Sequence, residues 1–362
     1  MNTRPDCSMK LLEELSQAAG PPGSEGEIRG IVRRELQDAG RLSYDRLGSI
    51  LCEKQGRAEN PRVVLDSHLD EVGFMVQSVS KEGKLAMVPL GGWWGHVLLG
   101  QRVEVMAGDR KVPGVIGSTP PHFLAADQRD KVIGIDRMYV DVGASDISQV
   151  EALGIRIGDP VVPRTDFMEF PVPGILSGKA FDNRAGVGLM CEVMQALRGK
   201  AHPNTVIGVG SVQEEVGCRG GATSSTLSSP DVAVVLEATP ADDLPGFEDR
   251  QAILGSGPQI RLFDPTAISN RRLVQKVLEV AEKQDIPLQQ AVRRTGGTDA
   301  KTIHGHGAGV PTVVIGVPSR YIHTHVSLLQ WDDYRAARDL VLELVLALDR
   351  ETVSGLVDFS KG

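Results

Sequence analysis

Four apolar runs in this chain each give way to histidine or acidic residues, and no other feature constrains the fold as much. Arg62-Val-Val-Leu-Asp-Ser-His-Leu-Asp leads to His68 and Asp70, and Asn204-Thr-Val-Ile-Gly-Val-Gly-Ser leads to Glu214 and Glu215. Val232-Ala-Val-Val-Leu closes on Glu237, and the loop after Thr312-Val-Val-Ile-Gly-Val carries His323. Short continuous apolar runs with polar ends are the pattern of strands buried on both faces, in the middle of a parallel or mixed sheet. Helical stretches fall between them. Ser8 can cap a helix over 10–18, Ser24 with Glu27 makes a capping-box signal for a helix to Gln37, and helices are expected over 183–197, 269–284 and 331–349. With further strands near 287–292, the fold class is an α/β/α sandwich. In such sheets ligands collect outside the carboxyl ends of the strands, where the polar residues of this chain fall.

The stretch 73–168 breaks the alternation. Short β-like pieces such as 102–106 and 138–142 are divided by glycine and proline, without a long helix. A chain of 362 residues exceeds what one core usually serves. The expected organisation is therefore a catalytic domain, 1–72 and 169–362, interrupted by a small β-rich domain, 73–168. Trp93 and Trp94 sit in this insert, where they suit either a partner surface or a local core. The formal net charge of −8, with no block of lysine and arginine, argues against nucleic-acid or anionic-membrane partners. Met1–Ser8 lacks the apolar core of a signal peptide and no run approaches a membrane span, so the expected location is cytoplasmic. Cys7, Cys52, Cys191 and Cys218 show no CxxC spacing, which suggests neither a disulfide framework nor a thiolate zinc knuckle.

The chemistry emerges from the conjunction. His68 and Asp70, two apart, share one face of a strand, and a carboxylate beside a histidine can fix its tautomer, though such a pair alone is commonly a surface feature. Asp182, between a turn and a helix start, has the bland role of an N-cap. Glu237 ends a buried run. His323 has His325 as its nearest rival. Two histidines and several carboxylates at one sheet edge suit a pair of zinc-like cations about 3.5–4 Å apart, with a water between them. One carboxylate is then uncommitted. A general base must stand near the water without being tied up as a ligand, which reads Glu215 as ligand and Glu214 as base.

These stretches resemble the M42 family of co-catalytic metallo-aminopeptidases over nearly the whole chain. The resemblance is carried by Ser67-His-Leu-Asp-Glu-Val-Gly-Phe-Met-Val, Gly178-Lys-Ala-Phe-Asp-Asn-Arg, Gln213-Glu-Glu-Val-Gly-Cys-Arg-Gly, Gly296-Gly-Thr-Asp-Ala and Ser319-Arg-Tyr-Ile-His-Thr. It implies one metal on His68 and Glu237, another on Glu215 and His323, Asp182 bridging, Glu214 as base and Asp70 orienting His68. It further implies two divalent ions per subunit, zinc with cobalt or manganese as alternatives. The insert would be a PDZ-like dimerisation domain, dimers would build a tetrahedral dodecamer, and the substrates would be short peptides. Many relatives carry Asp where this chain has Glu237, and Glu is usual in related carboxypeptidases. Gly296-Gly-Thr-Asp-Ala reads as a wall of the substrate pocket, through Gly297, Thr298 and Asp299, because glycine lets backbone approach a ligand. Arg320 and Tyr321 contact substrate or brace their loop. A deacylase of a non-peptide amide would keep every ligand, and a silent assembly protein would have lost one. Endoglucanase action, a label some relatives bear, fits poorly with an aromatic content of 4%.

Overall fold

The four apolar runs lie side by side. The computed structural model describes residues 7–360, so the reading of Met1–Asp6 falls outside the described residues. Strands Thr205–Ser211, Arg62–His68, Val232–Pro240 and Thr312–Arg320 are adjacent and parallel in that order. Almost every residue in them is buried, which is why they are continuously apolar and do not alternate. They form the centre of a twelve-stranded mixed sheet. Antiparallel strands Ile50–Gln55 and Arg41–Tyr44 extend it on one side, and Ser327–Gln330, Ile175–Gly178 and Met168–Glu169 on the other.

One face of the sheet packs on helices Cys7–Gln17, Gly26–Leu36, Phe181–Ala196, Arg271–Lys283 and Trp331–Ala347, around Leu12, Phe181, Met190, Ile315 and Tyr334. The other face is covered by the shorter helices Arg219–Ser228 and Ala300–Ile303, over Ile207, Val235 and Val314. Six strands between Gly73 and Pro163 close into a separate barrel with its own core of Phe74, Leu85, Val105, Ile116 and Val140. Closure pairs every strand edge. Ile147–Ala152 is its one α-helix among the described residues. No helix among the described residues is long and apolar enough to cross a membrane.

Several local expectations are corrected. Helix Gly26–Leu36 starts two residues after Ser24, so no capping box forms, and the Glu25 carboxylate instead accepts from the Gly23 N–H at 2.7 Å. Ser8 lies inside its helix and its hydroxyl donates to Glu192 at 3.0 Å. Of the two readings of Trp93 the local core holds: partly buried, it packs on the barrel core, stacks on Phe74 with centroids 4.9 Å apart, and its indole N–H donates to the Gly73 carbonyl at 2.9 Å. Trp94 is 64% exposed.

A buried ion cluster ties the N-terminal helix to the segment carrying Asp182. Lys179 donates to both oxygens of Glu71 at 2.6 Å, and Arg184 stands 3.5 Å from the same carboxylate while donating to the carbonyls of Leu15 and Ala18. All three charged side chains are buried. Glu71→Ala leaves two cations without their counter-ion. Chemical denaturation is expected to show a loss of about 3–5 kcal/mol, and a loss below 1 kcal/mol would remove the cluster from the account of stability.

Candidate metal centre

Parallel strands deliver their carboxyl ends to one edge. Ser211 is in register with His68, where both strands end, and Glu237 is in register with Gly316 inside strands that run on to Pro240 and Arg320. Behind Ser211, Gln213 takes a left-handed backbone (φ 58°) and turns the chain so that both glutamates reach the site. Glu214 Oε2 lies 4.0 Å from His68 Nε2, and Glu215 Oε2 lies 3.5 Å from His323 Nε2. The two adjacent carboxylates thus enter one site from different directions.

Asp182 stands in the middle. Its Oδ1 is 3.2 Å from His68 Nε2 and its Oδ2 is 3.4 Å from His323 Nε2. It does not cap the helix. That role falls to Asn183, whose side-chain oxygen accepts from the Gly186 N–H at 3.1 Å while its amide donates to the Leu236 carbonyl at 2.7 Å. Glu237 Oε2 reaches to 3.7 Å from His68 Nε2, so the longer side chain at this position joins the cluster. Two compatible ligand sets result: His68, Asp182 and Glu237, and Asp182, Glu215 and His323. A third grouping of His68, Glu214 and Glu215 is also close enough.

Asp70 meets His68 chiefly through its backbone. The His68 Nδ1 partner is the Asp70 backbone carbonyl at 2.9 Å, with the carboxylate farther away at 3.6 Å. That carboxylate accepts from the N–H groups of Glu214 and Glu215, both at 3.0 Å, and so fixes the glutamate loop. On the other side, His323 Nδ1 faces the Gly92 carbonyl at 2.8 Å. Each imidazole therefore offers Nε2 to the centre, with its other nitrogen committed to a carbonyl.

The electrostatics are those of a cation site. Burial pushes Glu214 up to about 7 and holds Glu215 and Glu237 well above the usual carboxylate range. Burial opposes charge on His323, but Asp182 and Glu215 overcome it and raise the imidazole to about 10. Burial likewise opposes ionisation of Asp182, which the two histidines nonetheless hold low. If Asp182, Glu214, Glu215 and Glu237 all ionise they carry −4, which two divalent cations at +4 cancel. Glu215 Oε1 is buried without a hydrogen-bond partner among the described residues, as a metal donor would be. Nitrogen and oxygen donors, three per set with one shared, fit zinc, cobalt or manganese and leave coordination positions open.

A cavity of about 430 Å³ opens over the cluster. Gly297 and Thr298 line it as expected. Asp299, Arg320 and Tyr321 do not. Asp299 is buried beneath, accepting from the Ser211 hydroxyl at 2.6 Å, and Arg320 braces its loop through a two-pronged pair with Asp243. Tyr321 is half exposed outside the lining. Sequence reasoning missed Arg261, Arg293 and Lys301, which bring positive charge to the cavity wall, and Cys218, whose thiol lies 3.3 Å from Glu214 Oε1. Nothing in the local sequence marks the cations. Only the run Gln213-Glu-Glu-Val-Gly-Cys could have pointed to the thiol.

This fold and this edge define a hydrolase-like metal centre, and comparison with known proteins gives its lineage. Residues 48–340 match the family model described as M42 glutamyl aminopeptidase. The putative aminopeptidase FrvX of Escherichia coli is 35% identical over 97% of this chain and 99% of its own length. The solved TET aminopeptidase of Thaumarchaeota archaeon SCGC AB-539-E09 superposes with a TM-score of 0.95 at 42% identity, over 97% of this chain and 100% of that one. The TET1 peptidase of Pyrococcus horikoshii, which can assemble into a tetrahedron or a large octahedral shell, matches with a TM-score of 0.84 at 29% identity, over 94% of this chain and 100% of that one. The chain belongs to peptidase family M42.

Proposed function

We propose that this chain is a metal-dependent aminopeptidase that removes single residues from the N-termini of short peptides. The carrying observation is Asp182, whose two oxygens face two histidines that each have a further carboxylate beside them. In this reading His68, Asp182 and Glu237 hold one cation, and Asp182, Glu215 and His323 the other, with zinc the first choice. Two such cations lower the pKa of a water and polarise a carbonyl oxygen. The chain's own residues do the rest. Glu214, left outside both sets, accepts the proton of the attacking water and returns it to the leaving amine. Asp70 holds Glu214 and Glu215 in place by their backbone N–H groups.

The surroundings favour peptides over sugars. Glycoside hydrolysis uses two carboxyls flanking a ring, whereas here all four crowd around two imidazoles, and no Phe, Tyr or Trp among the described residues lines the cavity. Arg261 pairs with Asp264 and Arg293 with Asp242, but Lys301 has no carboxylate within ion-pair reach among the described residues, which favours an acidic residue in the pocket. Assembly of several copies is part of the reading, supported by the Pyrococcus relative and by the exposed Trp94. So is a cytoplasmic location, which suits the free thiols of Cys52, Cys191 and Cys218.

Mass spectrometry of a mixture of free and N-acetylated short peptides tests the activity. Stepwise loss of single residues from free N-termini alone is expected, with peptides opening on Glu cut faster than those opening on Lys. Release of acetate from blocked peptides, with free ones intact, would establish the deacylase instead.

A further inference from the structure

We propose that the barrel is a working part of the metal centre: its segment Gly91-Gly92-Trp93 positions Glu215 and His323, so that filling of that half of the centre depends on the barrel's seat. This rests on the two-cation reading above and adds an asymmetry to it. His68 and Glu237 lie within strands of the central sheet and are buried. His323 stands on a loop, in a left-handed backbone (φ 58°), with its side chain 36% exposed. Something outside the sheet must hold it.

Three contacts show what does. The Gly92 carbonyl takes the His323 Nδ1 side at 2.8 Å, which turns Nε2 toward Asp182 and Glu215. Both glycines are pressed against ligands. A methyl group on Gly92 would sit 3.2 Å from His323 Nδ1, and one on Gly91 would sit 3.1 Å from Glu215 Oε2 and 2.7 Å from Val72. Gly91 also has φ +90°, which side-chain-bearing residues rarely adopt. Trp93 then anchors the segment. Its ring stacks on Phe74 of the first barrel strand and meets His325, two residues beyond His323, at 5.4 Å. The His325 carbonyl is itself held by the Thr165 hydroxyl at 2.6 Å, from the chain leaving the barrel. Trp93 therefore joins the barrel core to the loop of one ligand, while on the His68 side its segment reaches only Val72 and Gly73, beyond the Asp70 carbonyl that holds that imidazole.

The test is calorimetric titration of zinc into metal-free full-length chain, for wild type, Gly92→Ala, Trp93→Ala and Trp93→Phe. The wild type is expected to show two sites. Gly92→Ala and Trp93→Ala should keep one within about threefold and weaken the other about 10–100-fold, the usual consequence of disturbing a ligand's supporting partner. Trp93→Phe, which keeps the stack and loses the indole N–H, should fall between them and wild type. Should Trp93→Ala fail to fold, Gly92→Ala decides, because Gly92 has a backbone open to alanine and gains only one methyl. Two unaltered sites in Gly92→Ala, or equal weakening of both, would overturn the proposal. A wild type that binds one cation or none would overturn the two-cation reading itself, a separate result.

Discussion

Glu214→Gln is expected to leave both cations bound and to slow turnover about 100-fold or more, the usual worth of a positioned general base. Glutamine matches glutamate in shape, and the backbone N–H of residue 214 keeps its bond to Asp70, so the loop should not move. The cavity stays open and substrate still binds. What is lost is a proton acceptor at an oxygen 4.0 Å from His68 Nε2 and beside both ligand sets. In the metal-free chain, burial, reinforced by Asp299, Asp70 and Asp182 and opposed by His68, raises this carboxyl to about 7, and bound cations lower it again toward the ionised form that a base requires. Elemental analysis and steady-state kinetics on a short peptide make the measurement, with Glu215→Gln alongside. The rival grouping of His68, Glu214 and Glu215 gives metal loss in both variants; a different outcome is metal lost in Glu214→Gln and retained in Glu215→Gln. That outcome would exchange the roles of the two glutamates.

The central architecture was legible because burial on both faces leaves a strong trace. Four strands closed off by acidic residues and histidines could be found from apolar runs alone, and parallel pairing then forces their carboxyl ends together. Asp182 was harder. Its local pattern reads as a cap, and only the three-dimensional arrangement shows the neighbouring Asn183 capping while Asp182 turns inward. Helix Arg219–Ser228 left no signal, because Arg-Gly-Gly-Ala-Thr-Ser-Ser-Thr-Leu-Ser has no apolar period of 3.6 residues. It forms because Gly220 and Gly221 let it lie against Val212 and Asp299, where a methyl group would meet atoms at 2.3–2.5 Å. The substrate wall misled for a related reason. Gly296-Gly-Thr-Asp-Ala does border the cavity, but side chains of successive residues diverge, and Asp299 points into the interior behind Thr298. Trp93 shows the limit of composition arguments: tryptophan is favoured at interfaces between subunits, and here the interface it occupies is within the chain.

Removal of metal by a chelator is expected to abolish activity while the fold survives. In a zinc finger the cation is most of the core, and its loss unfolds the domain. Here the sheet carries one large apolar core under its five longer helices and a second under the two shorter ones, and the barrel has a third. The ligands sit at the rim of these cores. Without cations the crowded carboxylates need another source of neutralisation, and the raised Glu214, Glu215, Glu237 and His323 indicate protons in that role. Far-UV circular dichroism should therefore be unchanged after chelation. The melting temperature should fall, because a cation present at 1,000 times its Kd stabilises by about 4 kcal/mol per site. The sign of the pH dependence follows as well. Protons held by the metal-free site must leave when cations enter, so zinc should bind more tightly at pH 8 than at pH 6. Zinc, cobalt or manganese should each restore turnover, to an extent that identifies the best fit. Full activity in protein shown by elemental analysis to be metal-free would end the metallohydrolase reading, whereas unfolding on chelation would show instead that the centre holds the sheet edge together.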